Sequence, residues 1–409
     1  VNAPGPGHDR TDRPGEGRSP SGARRRARDE FLRGLRIKHP LVLIAAAALT
    51  VPCLLLINWL FAGGAYSGIP EERVLRRSGD DFMHIAWTVS RIRREASSEP
   101  LLCLFGGSSA RESIVSGSSL AAEVATDGGI RLAGYDFGSS NQNFAATLAA
   151  IDNLPRNGGV MVIGLNAGRF AWSPAVNGLQ SEGRKIPLAS GALHTAIGDL
   201  DGPQRTWLGI LPGVANYFAS YLSEQRASLR RLQLPWTPYR LHRYTPAGRQ
   251  SVARKEETVE RWLDVRAPTF ERYLDWNLDL LDETVALARE RGFEVVLLEL
   301  PWNEEIIGDR FEQAQEAYRA PCRQIAAERD ATYLDLNPTL DLTSDDFYDL
   351  FHLVGDARAR WQSALAEQLA AVVPADVASA TTHEAPASTA PRAATDATLA
   401  SPSQPGVPD

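Results

Sequence analysis

The chain has 409 residues, 44% hydrophobic and 23% charged, which is enough apolar material for a sizeable core. Its net charge of −7 argues against nucleic-acid binding as a main role. Its three cysteines, Cys53, Cys103 and Cys322, make neither a disulfide framework nor a metal-ligand pattern, and no metal or organic cofactor is implied.

Residues 1–40 hold ten Arg or Lys against five Asp or Glu, and read as a basic, disordered arm. Leu41–Ala62 follows without a single charge, and its 22 residues are long enough to span a bilayer as a helix. By the positive-inside rule the arm stays in the cytoplasm and everything after Ala62 is exported, anchored by one span to the cell membrane. A cleavable signal peptide cut near Ala62-Gly63-Gly64 is the competing reading, but its apolar region normally runs to about 7–15 residues. Residues 375–409 are mostly Ala, Thr, Ser and Pro and read as a disordered tail, which leaves 66–374 as the exported folded part.

Within 66–374, Leu101–Phe105, Val160–Ile163 and Val295–Leu300 are unbroken apolar runs expected as buried parallel strands. Ile130–Phe137 and Thr332–Leu336 are weaker strand candidates. Leu274, Leu278, Leu281, Val285 and Ala288 recur at helical spacing, so Phe270–Arg291 is expected as an amphipathic helix that ends at Gly292. This alternation argues for an α/β fold with a parallel sheet covered on both faces. Residues 171–265 interrupt the rhythm and read as a mainly helical insertion or cap, with a helix near Leu211–Leu232. Inside it, Arg226–Lys255 carries eight basic residues and no acidic one. That stretch suits either an anionic partner or a plain solvated surface.

Four motifs follow in order: Gly106-Gly107-Ser108-Ser109, Gly138-Ser139-Ser140-Asn141, Gly164-Leu165-Asn166 and Asp349-Leu350-Phe351-His352. Three of them directly follow strand candidates, at the carboxyl ends where open parallel sheets gather their chemistry. A serine hydroxyl needs a base to become a nucleophile. Asp349 and His352, three residues apart on a tight turn, could hold and orient that base. Only His84, His194, His242 and His352 fall in the folded part. Oxyanion donors could come from the Asn166 amide, from a backbone N–H of Gly138, Ser140 or Asn141, and from Ser108 itself.

This order of motifs resembles the SGNH (GDSL-type) hydrolase superfamily, in outline from Leu101 to Leu369 without the insertion. The resemblance implies a flavodoxin-like three-layer α/β/α sandwich. It also implies Ser108 as nucleophile, His352 as base, Asp349 as its orienting acid, and Asn166 with the Gly138–Asn141 turn as oxyanion hole. The chain departs from the family pattern in having Gly107 for Asp in the first block, Asp136 where Asn is common, and Asn166-Ala167 for Asn-Asp. A register one residue later would make Ser109 the nucleophile.

With one amino-terminal span, the chain is similar to the membrane-anchored branch that includes the teichoic-acid D-alanylation and alginate acetylation proteins. That similarity implies an extracytoplasmic serine acyltransferase acting on O-acyl groups of an envelope polysaccharide or polymer, beside a membrane-bound O-acyltransferase partner. An SGNH esterase that removes acetyl groups from glycan or lipid would use the same residues with water as acceptor. A non-catalytic relative that binds envelope polymer is the reading from a different class.

Overall fold

A computed structural model describes residues 29–30, 33, 40–62, 64–70, 81–96, 98–173, 188, 190–199 and 243–373. The two expected disordered ends, the helix expected near Leu211–Leu232 and most of the expected insertion lie outside the described residues. The chain divides into two compact units, Val1–Tyr66 and Ser67–Asp409. In the first, Pro40–Ala62 forms a 23-residue helix, α1, with Pro52 inside it. Among the described residues, no helix is long and apolar enough to cross a membrane.

The second unit is an α/β fold on a five-stranded parallel sheet. The strands are β1 (Leu101–Gly106), β2 (Ala133–Gly138), β3 (Gly159–Leu165), β4 (Phe293–Glu299) and β5 (Thr332–Asp335), ordered β2-β1-β3-β4-β5. All five fall where strands were expected. Every residue of β1 and β3 is buried, because these strands are paired on both edges and covered on both faces. β2 and β5 close the edges and are only half buried along most of their length, which is why their apolar signal is weaker.

Helices flank the sheet: α2 (Asp81–Glu95), α3 (Ser108–Ser113), α4 (Gly117–Gly128), α5 (Phe144–Asp152), α6 (Gly191–Asp199), α7 (Val252–Arg261), α8 (Ala267–Glu290), α9 (Glu312–Glu328) and α10 (Ala357–Val372). Alternate residues of β1 enter different cores. Leu101, Cys103 and Phe105 meet α2, α5, α8 and α9. Leu102 and Leu104 meet α3, α4 and α10, where Trp361 is fully buried.

The helix expected over Phe270–Arg291 in fact starts at Val252, as α7, a π-helical turn at Trp262–Arg266, and α8. Pro268 lies in the first turn of α8 and has no N–H to donate back along the helix, so a wider turn directly precedes it. α7 buries only Lys255 and Val259, so few apolar residues mark it in the sequence. Both described ends of the expected insertion join the main core, through Leu193 and Ala196 of α6 and through Val259 and Trp262. Ser190 adds a 2.8 Å hydrogen bond to the Asp152 carboxylate.

Ile163, on the central strand β3, is completely buried. The Ile163→Ala variant is expected to lose about 2–5 kcal/mol of unfolding free energy. Urea denaturation checks this, as a lower midpoint at unchanged slope.

Candidate active site

The first motif is the junction of β1 and α3. Gly106 is required by close approach, since a Cβ there would lie 2.5 Å from the Ala110 Cβ. Gly107 caps α3 with φ −67° and ψ −172°, an extended conformation open to any residue. The turn is therefore sharp through packing and not through unusual torsions. Gln142 fixes it from below: its Oε1 accepts from the Gly106 N–H at 2.7 Å while its Nε2 donates to the Phe137 carbonyl at 2.8 Å. The ends of β1 and β2 are thereby tied together, and Ser108 stands on the first turn of α3.

The last motif arrives from the other end of the chain. His352 Nε2 lies 2.8 Å from Ser108 Oγ, and His352 Nδ1 lies 2.8 Å from each carboxylate oxygen of Asp349. Asp349 Oδ1 also accepts from the N–H groups of Phe351 and His352, at 2.9 and 3.2 Å. Burial pushes the Asp349 pKa up, but the His352 hydrogen bond and charge and these two N–H groups outweigh it. The carboxyl is held below its ordinary value and stays ionised.

Several neighbours hold this turn in place. The Asn303 N–H donates to the Leu350 carbonyl at 2.9 Å, and Tyr348 N–H donates to the His352 carbonyl at 2.8 Å. Phe347, Leu350 and Leu353 are fully buried beneath it. From α7 the buried Lys255 ammonium donates to the carbonyls of Ser344 and Phe347 at 2.6 and 3.0 Å. Desolvation lowers its pKa. The Tyr244 ring stacks on Tyr348 at 4.3 Å and leans on His352 at 4.7 Å.

Asn166 ends β3 and caps the short helical turn that follows, its Oδ1 accepting from Arg169 N–H at 3.1 Å. This fixes the amide so that Nδ2 donates to Ser109 Oγ at 2.8 Å. The two adjacent serines thus have different partners: Ser108 meets the histidine and Ser109 meets the asparagine. An amide NH₂ carries two hydrogens, so the second remains for an anion in the pocket.

The second motif is split. Asn141, in the left-handed conformation at φ 58°, lines the pocket. Gly138 does not reach it: its N–H is taken by Asp136 Oδ1 at 2.9 Å, and its Cα packs on Arg111, whose N would sit 2.5 Å from a Cβ. The Ser139 N–H is likewise bonded to the Gly106 carbonyl at 3.1 Å. Burial raises the Asp136 pKa to about 6, against the opposing charge of Arg243, which it meets at 3.0 Å.

These residues surround a pocket of about 190 Å³ that includes Ser108, Ser109, Asn141, Asn166 and His352, walled by Trp172, Trp262 and Phe351. Among the described residues no group of three His, Cys, Asp or Glu is placed to hold a metal ion. No family model matches the chain, and neither does any curated protein. Chemically, the arrangement offers a hydroxyl in contact with an oriented imidazole, with amide donors beside it.

Four supporting contacts follow from no local pattern: Ser109 with Asn166, Gln142 under the turn, Lys255 under the histidine loop, and Tyr244 against His352. Lys255 ends the basic stretch Arg226–Lys255, whose pattern points to a surface and not to a buried support.

Because the folded-state pKa of Asp349 is depressed, its contribution to stability is complete above the unfolded value, about 3.9. It is lost as pH falls through the folded value. Asp349→Asn is therefore expected to be less stable than the wild type at neutral pH, with the gap closing below about pH 4. Denaturant titrations of both proteins across that range check the sign.

Proposed function

We propose that the chain is an SGNH-type serine acyltransferase of the cell envelope, with a flavodoxin-like three-layer domain carrying Ser108, His352 and Asp349 as its triad. The observation that carries this reading is the continuous line Ser108 Oγ–His352 Nε2, 2.8 Å, and His352 Nδ1–Asp349, 2.8 Å. Support for the fold comes from the strand order 2-1-3-4-5, which flavodoxin-like sheets share.

In this mechanism His352 Nε2 takes the Ser108 proton as Oγ attacks the ester carbonyl. The oxyanion receives the second Asn166 amide hydrogen and the Ser108 backbone N–H, one of the first in a helix and so without a partner inside it. Asn141 lines the same pocket and is the second-motif donor. Collapse of the intermediate breaks the ester C–O bond, and His352 returns its proton to the departing alkoxide. An acceptor hydroxyl then gives its proton to His352 and attacks the acyl-serine; the acyl C–Oγ bond breaks and His352 returns the proton to Ser108. Asp349 stays ionised throughout and holds Nδ1–H.

The uncharged apolar run Leu41–Ala62 supports placement at a membrane. It is free of charge and exposes Val42, Ile44, Leu49, Val51, Leu55 and Leu56. As a signal anchor it would keep an exported site close to a membrane-bound O-acyltransferase and an envelope polysaccharide or polymer acceptor. Water in place of the acceptor hydroxyl would make the same site an esterase.

The test is intact mass and turnover of the full chain in detergent with para-nitrophenyl acetate, alongside Ser108→Ala. An acetyl adduct that persists in water and needs Ser108 is the expected result. Sustained cleavage without the adduct assigns the esterase reading, and there too Ser108→Ala is expected to cost at least about 10³-fold in kcat. A folded wild-type protein with neither adduct nor turnover overturns serine chemistry.

A further inference from the structure

Two arginines line the pocket beside Ser108, and among the described residues no carboxylate does. Partly buried arginines elsewhere in this unit pair with acids: Arg243 with Asp136, Arg291 with Asp152, and Arg111 and Arg358 with Glu112. Arg169 does not. It is 2% exposed, donates to the Gly164 carbonyl and to Thr147 Oγ1, and lies 4.1 Å over the Phe144 ring. Its Nε is buried with no hydrogen-bond partner. Burial alone lowers its pKa, to about 9, so it remains a cation at neutral pH.

At the rim, Arg266 is exposed, with its guanidinium 5.3 Å from the Trp172 ring and no acidic partner among the described residues. A buried cation without a counter-charge is costly, and a neighbouring anion offsets that cost. The basic stretch noted in the sequence has no such surplus where it is described. Arg243, Arg249, Arg254 and Lys255 are all satisfied by carboxylates or carbonyls of this chain.

We propose that this pocket takes an ester bearing a carboxylate or phosphate, which Arg266 contacts at the rim while Arg169 supplies positive potential from the floor. The inference rests on the acyl-transfer reading and adds the substrate's charge. The flat faces of Trp172 and Trp262 would flank the ring or chain that carries the anionic group. Arg169, with its head already bonded to Gly164 and Thr147, acts through its field; Arg266 is the contact.

The test compares kcat/KM of the full chain for phenyl acetate with three anionic counterparts: phenyl hemisuccinate, para-acetoxybenzoate and para-acetoxyphenyl phosphate. At least one is expected to exceed phenyl acetate by about tenfold, and Arg266→Glu to erase that ratio. Arg266 is exposed, so the charge reversal leaves the core intact. Which ester leads tells carboxylate from phosphate, and acyl side from alcohol side. No anionic preference in the wild type, or a preference that survives Arg266→Glu, overturns the inference. Cleavage of none of the four in a Ser108-dependent way overturns the acyl-transfer reading itself, and the charge selectivity with it.

Discussion

The contact between Ser108 Oγ and His352 Nε2 joins residues 244 positions apart, and most of the described architecture bears on whether those two atoms can meet. Ser108 is delivered by the carboxyl end of β1, an inner strand of the sheet. His352 is delivered by the loop after β5, on a turn closed by the antiparallel Phe347–Leu353 bridge. The loop is positioned by burial of Phe347, Leu350 and Leu353, and by donors from elsewhere: Asn303 after β4 and Lys255 on α7. A hydrogen bond of this kind falls off steeply with distance and angle, so each of these supports acts on the proposed chemistry through placement.

Beneath the pocket lies a connected polar scaffold. Arg169 reaches Thr147, Thr147 reaches Gln142, and Gln142 receives the N–H of Gly106. On the other side of α3, Glu112 is completely buried between Arg111 and Arg358, and Arg243 clamps the end of the same helix through the Arg111 and Ile114 carbonyls. Buried ionic groups of this kind add little net stability, but removing one partner strands the other. Their effect is to fix one orientation of α3, and with it the Ser108 hydroxyl.

Much of this was legible in the chain itself, for identifiable reasons. The central strands announce themselves as unbroken apolar runs because both faces are covered, and the four motifs fall at strand ends and one loop as their spacing suggests. The edge strands were fainter because Tyr135, Asp136, Tyr333 and Asp335 are only partly buried. The early start of the α7–α8 helix was hidden by a π turn that breaks the apolar phase at Trp262–Arg266. Within the site, spacing brought out Ser108, His352, Asp349 and Asn166, but could not tell that Asp136 would capture the Gly138 N–H, or that Ser109 would receive the Asn166 amide. Those are contacts between side chains and backbone set by tertiary packing, and no local pattern encodes them.

The account turns on which hydroxyl is activated and by what. Reaction of the full chain with a fluorophosphonate, followed by peptide mass mapping, reads this directly. Phosphonylation of Ser108 and not Ser109, slowed at least about 10³-fold in His352→Ala, is the predicted result. A label on Ser109, a rate indifferent to His352, or no label at all on a folded wild-type protein would contradict it.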